Sequence, residues 1–191
     1  MSAPCEPEDA LLTVALLHAQ ERAPEEIMAR LEREFGAVAA RSEVFPFEQS
    51  DYYANEMGRG LLRWFAAFGT LVKQAALADI KVRANQIEAE YAKHGKRSVN
   101  IDPGILTTHS LILATGKDYS HRIYLRNGIF AEVTLMVQPG GLQPLPWTYP
   151  DYRLPQVLAF FEACRARYLQ QRRRPRPASA SRPGMQGVAL A

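Results

Sequence analysis

Glu132 sits in the run Ile129 to Val137, where the residues around it are mostly apolar, and His121 lies eleven positions before it. A carboxylate in such a run needs a partner if the strand is covered, because an unpaired buried charge is costly. The intervening Arg126-Asn127-Gly128 supplies the two positive-φ residues of a tight hairpin turn. With Arg126 and Ile129 flanking that turn, the register places Ile123 opposite Glu132 and His121 opposite Thr134, so His121, Glu132 and Thr134 share one surface. The opposite surface carries Ile129, Val133, Leu135 and Val137, so both faces read as covered. A buried carboxylate beside a histidine is a candidate acid–base pair, with Glu132 and His121 as catalytic candidates; a structural ion pair has the same signature.

Three more polar groups have useful spacing. Lys81, Asn85 and Glu88 step by four and three along a helical pattern, forming a stripe beside the apolar one. Such a stripe suits the wall of a cleft, and it suits a solvated helix flank equally. Arg97, Asn100 and Asp102 alternate toward Asp102-Pro103-Gly104, which reads as a turn at a strand end. Asp102 there is a third candidate base. Lys117 follows Gly116 after a strand, without the first glycine of a phosphate loop or the Ser or Thr that follows its lysine. With Arg122, these residues make a mixed set of cations and carboxylates. Such a set suits an anionic small molecule, phosphorylated or nucleotide-like, with Lys81 or Arg122 stabilising negative charge.

Two aromatic segments remain. Asp51-Tyr52-Tyr53-Ala54-Asn55-Glu56 reads as a loop or capped turn, and Trp147-Thr148-Tyr149-Pro150-Asp151-Tyr152-Arg153 reads as a plug docking the helix behind it or a stacking platform beside a ligand. No Walker A, GxGxxG, HExxH, CxxC or GxSxG pattern is present. The histidines at 18, 94, 109 and 121 lack ligand spacing, so no metal is assigned and no cofactor is named. Cys5 and Cys164 form neither a metal pattern nor a disulfide framework, and free thiols are expected.

The elements that must hold these groups alternate in type. Leu11 to His18 reads as a buried strand, and Pro24 to Phe35 as a helix opened by Pro24 and stopped by Gly36. Val38 to Phe47 and Leu61 to Phe68 read as extended. Leu77, Ile80, Ala84, Ile87 and Tyr91 make one stripe of a helix over 74–93. Strands follow at Ser98 to Ile101, Ser110 to Thr115, His121 to Leu125 and Ile129 to Val137, then a helix from Pro155 with Val157, Phe161, Cys164 and Tyr168 on its apolar face. The pattern predicts one α+β domain over 10–170, a largely antiparallel sheet covered by three helices. Residues 1–9 read as a flexible N-terminus and 171–191 as a disordered tail.

The chain of 191 residues carries 23 Lys plus Arg against 20 Asp plus Glu, a formal charge of +3. Five arginines, at 172, 173, 174, 176 and 182, fall in the tail, so residues 1–170 hold 18 basic against 20 acidic groups. The domain therefore lacks the positive balance of a nucleic-acid binder, and any such attraction is expected to be weak and to reside in the tail. No apolar run approaches the ~18 residues of a membrane span, and the N-terminus lacks a basic n-region, so a cytoplasmic protein with no membrane partner is expected. Oligomeric state and ligand identity are left open.

The chain resembles a bacterial family, domain of unknown function 4416. The resemblance runs from about Leu11 to Gln171 on Phe45-Pro46-Phe47 with Asp51-Tyr52-Tyr53, Glu56-Met57-Gly58, Lys81 with Asn85 and Glu88, Asn100-Ile101-Asp102-Pro103-Gly104, Leu113-Ala114-Thr115 with Lys117, Ser120-His121-Arg122-Ile123-Tyr124-Leu125, Ala131-Glu132-Val133-Thr134-Leu135 and Trp147 to Arg153. The family commonly carries Thr before the helix asparagine, where this chain has Ala84. The resemblance implies no activity and no catalytic residue. Two readings stay open: a ligand-binding protein or enzyme with a polar cleft, and an interaction module using its aromatic segments.

Overall fold

The nine residues Ala10–His18 form β1, which is buried along its whole length. Its largely apolar sequence follows from its place: β1 lies between two antiparallel neighbours, and helices cover both faces. The computed structural model describes residues 3–20, 24–48, 54–92 and 95–173. The Asp51-Tyr52-Tyr53 segment, His94 and residues 174–191 lie outside them.

After β1 come α1 (Pro24–Phe35), β2 (Val38–Arg41), β3 (Phe45–Pro46), the one-turn α2 (Ala54–Met57) and β4 (Leu62–Val72). A short 3₁₀ turn leads into α3 (Leu77–Glu90). Then follow β5 (Val99–Leu106), β6 (Ser110–Thr115), β7 (Ile123–Arg126), β8 (Ile129–Gln138), β9 (Gly141–Pro144), a second 3₁₀ turn at Pro150–Arg153, and α4 (Pro155–Arg173). All strand pairings are antiparallel, in the order β2-β4-β1-β5-β6-β8-β7, with β3 on β4 and β9 on β8. The fold is α+β, as the alternation of patterns implies.

One face of the sheet is packed by α1 and α3 through Ile27, Leu31, Ala84, Ile87 and Tyr91 against Leu16, Trp64 and Ile101. The other is packed by α4 through Val157, Phe161, Cys164 and Tyr168 against Leu11, Ala15, Phe65 and Leu135. Tyr152 joins this second core, 5.0 Å from Phe65 and stacked 5.8 Å from Phe161, so that part of the aromatic segment is a docking plug.

Three features depart from the sequence expectation. Asp102-Pro103-Gly104 is no turn: it lies inside β5, paired with Ala15, Val14 and Thr13 of β1. Central strands exclude proline only where its missing N–H is needed, and here the ladder to β6 stops at Gly104. The hairpin turn does form, with Asn127 at φ 57° and Gly128 at φ 73°, but a bulge at Leu125 shifts the register so that Ile123 faces Ala131 rather than Glu132. His121 precedes β7, and β7 itself is an exposed edge strand rather than covered on both faces. Finally, α4 runs through Arg173, and Arg172 pairs with Glu8 and Thr108, so residues 171–173 belong to the folded part. Asp9 of the N-terminal segment is held too, by Lys73 at 3.0 Å and by Tyr168, whose hydroxyl donates to its carbonyl at 2.8 Å.

Candidate functional site

The site begins where β5 and β6 part. Only Gly104, Ile105 and Leu106 of β5 pair with β6. Backbone groups alternate sides along a strand. The Ile101 N–H and C=O point away from β1, which puts the Pro103 nitrogen on the same edge, where it has no hydrogen to donate. Past that point α3 takes over the work of the missing strand. Glu88 Oε1 accepts the Ile101 N–H at 2.8 Å, and Lys81 Nζ donates to the Ile101 carbonyl at 2.7 Å. Both side chains are buried, so the solvated-flank reading fails for Lys81 and Glu88, while Asn85 between them is exposed. Gly104 permits the close approach just before the split: a Cβ there would lie 2.6 Å from Leu113 Cδ2 and 2.8 Å from the Ile112 carbonyl oxygen.

The split opens into a cleft of about 580 Å³. Lys81, Asn85 and Glu88 form one wall, Asn100 and Asp102 the edge of β5, and Lys117, Arg122 and Glu132 the far side, with Arg97 also lining it. Of the ten candidate residues only His121 does not line it; it sits behind Glu132, its Nε2 3.2 Å from Glu132 Oε2. The geometry that brings His121 there is the bulged hairpin and the approach to β7, not the straight register read from the sequence.

Within the cleft the charges are closely matched. Lys81 Nζ lies 3.0 Å from Asp102 Oδ1 and 3.5 Å from Glu88 Oε1. Arg97 donates to Glu88 Oε2 at 2.9 Å and, through its other edge, to both oxygens of Glu56 at 2.7 and 2.8 Å. Asn100 Nδ2 donates to Asp102 Oδ2 at 2.6 Å. Burial alone would raise the Asp102 carboxyl, but the Lys81 and Arg63 charges outweigh it and hold the group below the usual carboxylate range. The Arg97 hydrogen bonds likewise hold Glu56 low.

On the far side Arg122 Nε donates to Glu132 Oε2 at 2.7 Å and Nη2 donates to the Tyr149 hydroxyl oxygen at 2.8 Å. Thr134 Oγ1 approaches the other Glu132 oxygen at 3.4 Å. Burial, reinforced by the negative charge of Glu132, pushes the Tyr149 phenol up to about 12, so it keeps its proton at neutral pH. The His121 ring stacks on Trp147 at 5.0 Å and 16°, which fixes its plane. The aromatic segment therefore divides its labour: Trp147 orients His121, Tyr149 lines the cleft and Tyr152 anchors the turn in the core.

Three lining residues escaped the sequence reading. Arg63 sits in the apolar run of β4, where nothing but its own type marks it, and Asp151 reads only as part of the aromatic segment before the last helix. They meet as a buried pair, Arg63 Nε 3.0 Å from Asp151 Oδ2, and burial raises the Asp151 carboxyl despite Arg63. Phe47 lies under the Arg63 guanidinium, 4.9 Å from ring centroid to Cζ. The arginine inside an otherwise apolar strand was the available signal for the first of these.

Among the described residues no group of three or more His, Cys, Asp or Glu side chains is arranged to hold a metal ion. No helix among them is long and apolar enough to cross a membrane. No curated protein and no solved structure matches the chain. Residues 8–168, a span that takes in every element from β1 through most of α4 and every lining residue of the cleft, match the domain of unknown function DUF4416, and the chain belongs to that family.

Proposed function

We propose that the protein binds a small anionic molecule, phosphorylated or nucleotide-like, in the cleft between α3 and the parted strands, and that it does so as a cytoplasmic protein. One observation carries the reading: Glu88, Asp102 and Glu132 already accept hydrogen bonds from protein donors, and Asp151 lies against the Arg63 guanidinium, so what the cleft has left to offer is mainly donors. Glu88 accepts from Ile101 N–H and Arg97, Asp102 from Lys81 and Asn100, and Glu132 from Arg122 and Thr134. Tyr149, by contrast, accepts from Arg122 and keeps its own O–H to give. A ligand rich in acceptor oxygens completes such a site, and a cationic one does not. The cleft volume of about 580 Å³ falls within the range of small-molecule sites. If a bond is made or broken, Glu132 with His121 is the acid–base pair and Arg122 with Tyr149 stabilises developing negative charge.

A thermal-shift panel of nucleotides, phosphorylated metabolites and divalent metal ions on the full chain tests this. The expected result is a saturable rise in Tm with at least one phosphorylated compound, reduced in Tyr149→Phe and Asn85→Ala. Both residues line the cleft and leave part of their surface open to solvent, Tyr149 burying its hydroxyl end against Arg122, so neither change removes core packing. A flat response across the panel overturns the reading. The second reading, an interaction module using its aromatic segments, draws on exposed Trp147 and Tyr149, with Tyr119, Ile123 and Tyr124 exposed in and before β7. Association of the chain that is lost in Ile123→Lys, with no ligand response, would favour it.

A further inference from the structure

Among the described residues, Arg63 is a charged residue on the sheet floor of the cleft with buried donors, Nε and Nη1, that lack a hydrogen-bond partner. Leu17 of β1 lies between it and Asn100, so Arg63, Asn100 and Asp102 rise from the same face of the sheet. Its side chain is 6% exposed and lines the cleft. Nε is close to Asp151 Oδ2 but not aligned for a hydrogen bond, and neither Nε nor Nη1 has a hydrogen-bond partner. Asp151 Oδ2 has none either. Buried guanidinium donors are normally satisfied, and Nη1, which lies on the edge of the guanidinium away from Nε and Asp151, is a donor left open for an acceptor oxygen in a lined cavity. Phe47 supports one face of the guanidinium and so holds its plane.

We propose that Arg63 is the anchor for an oxyanion group of the ligand, a carboxylate or a phosphoryl group, with Asp151 as its positioning partner. The inference rests on the anionic-ligand reading of the cleft and adds to it which end of the ligand lies deepest. On binding, Nη1 donates to an oxygen of the ligand while Asp151 stays beside Nε and holds the guanidinium in place, and no covalent step is involved.

The experiment titrates the full chain with inorganic phosphate and, separately, acetate, following the arginine Nε–Hε signals by ¹⁵N NMR, with the Arg63 signal assigned by its absence from Arg63→Met. The thermal-shift panel is repeated on Arg63→Met and Arg63→Lys. The expected result is a saturable displacement of the Arg63 signal by one of the anions, with binding weakened roughly tenfold or more in Arg63→Met and incompletely restored by Arg63→Lys. Response to acetate alone assigns a carboxylate, and response to phosphate a phosphoryl group. If panel compounds stabilise the protein while the Arg63 signal stays still, or stabilise Arg63→Met as much as the parent, the anchor is refuted and the cleft reading stands. If neither anion nor any panel compound binds, both fail. Should Arg63→Met not fold, assignment through Arg63→Lys and titration of the unaltered protein decide the matter.

Discussion

Replacing Lys81 by Met tests whether α3 completes the sheet where β6 has left it. The side chain is 7% exposed, and its Nζ serves the Ile101 carbonyl, Asp102 and Glu88 together. Met keeps much of the aliphatic volume, so the change removes the charge and the hydrogen bonds rather than the packing. Removing one partner of a buried ion pair costs about 3–5 kcal/mol, because the remaining charges are left uncompensated. In a chain of this size that corresponds to a fall in Tm of roughly 6–20 °C. A solvated flank pair would instead contribute only about 0.3–0.5 kcal/mol, a shift of roughly 2 °C or less. The two magnitudes are far enough apart for one urea melt with matched m-values to separate them. Glu88→Gln provides the internal control: it keeps an oxygen for the Ile101 N–H and should lose less than Lys81→Met. Hydrogen exchange adds a local readout, since the Ile101 amide should be protected in the parent and in Glu88→Gln but should open in Glu88→Ala. A Lys81→Met protein within about 1 kcal/mol of the parent would refute the account of how the cleft is held open.

Gly104→Ala should destabilise by about 1–3 kcal/mol in the same melts, because its Cβ meets the Ile112 carbonyl oxygen at 2.8 Å and backbone cannot turn aside. Asp102, held low by Lys81 and Arg63, contributes stability that is present above its ordinary value near about 4 and is lost as the pH falls through its lower folded value; Asp102→Asn should flatten the acid limb of stability against pH. The opposite sign holds for Asp151, whose raised group favours folding most below its ordinary value and loses that contribution as the pH rises through the folded one. Burial pushes the Cys164 thiol up to about 12, so a thiol reagent should titrate only the exposed Cys5 in the native chain and both cysteines in denaturant.

The sequence alone determined the elements with strong local signatures. The largely apolar β1, the helix opened by Pro24 and stopped by Gly36, the apolar stripe of α3 and the Asn127-Gly128 turn are each written in a short window, because period, capping and φ preference are local properties. Nine of the ten candidate residues line the cleft for a related reason: charged groups embedded in apolar strands and beside apolar helix stripes must be answered by partners. The tertiary structure decided what no window contains. Asp102-Pro103-Gly104 has the composition of a turn, and it becomes strand because β1 pairs it along one edge while the other edge needs no proline N–H. The Leu125 bulge moved Glu132 away from Ile123, yet Arg122 and His121 still reach its carboxylate, since side-chain reach tolerates a one-residue slip that backbone register does not. Arg63 and Asp151 stand 88 positions apart and meet only because the sheet and the turn before α4 fold together. Long-range pairing of buried charge depends on packing, and packing is where the cleft acquired its floor.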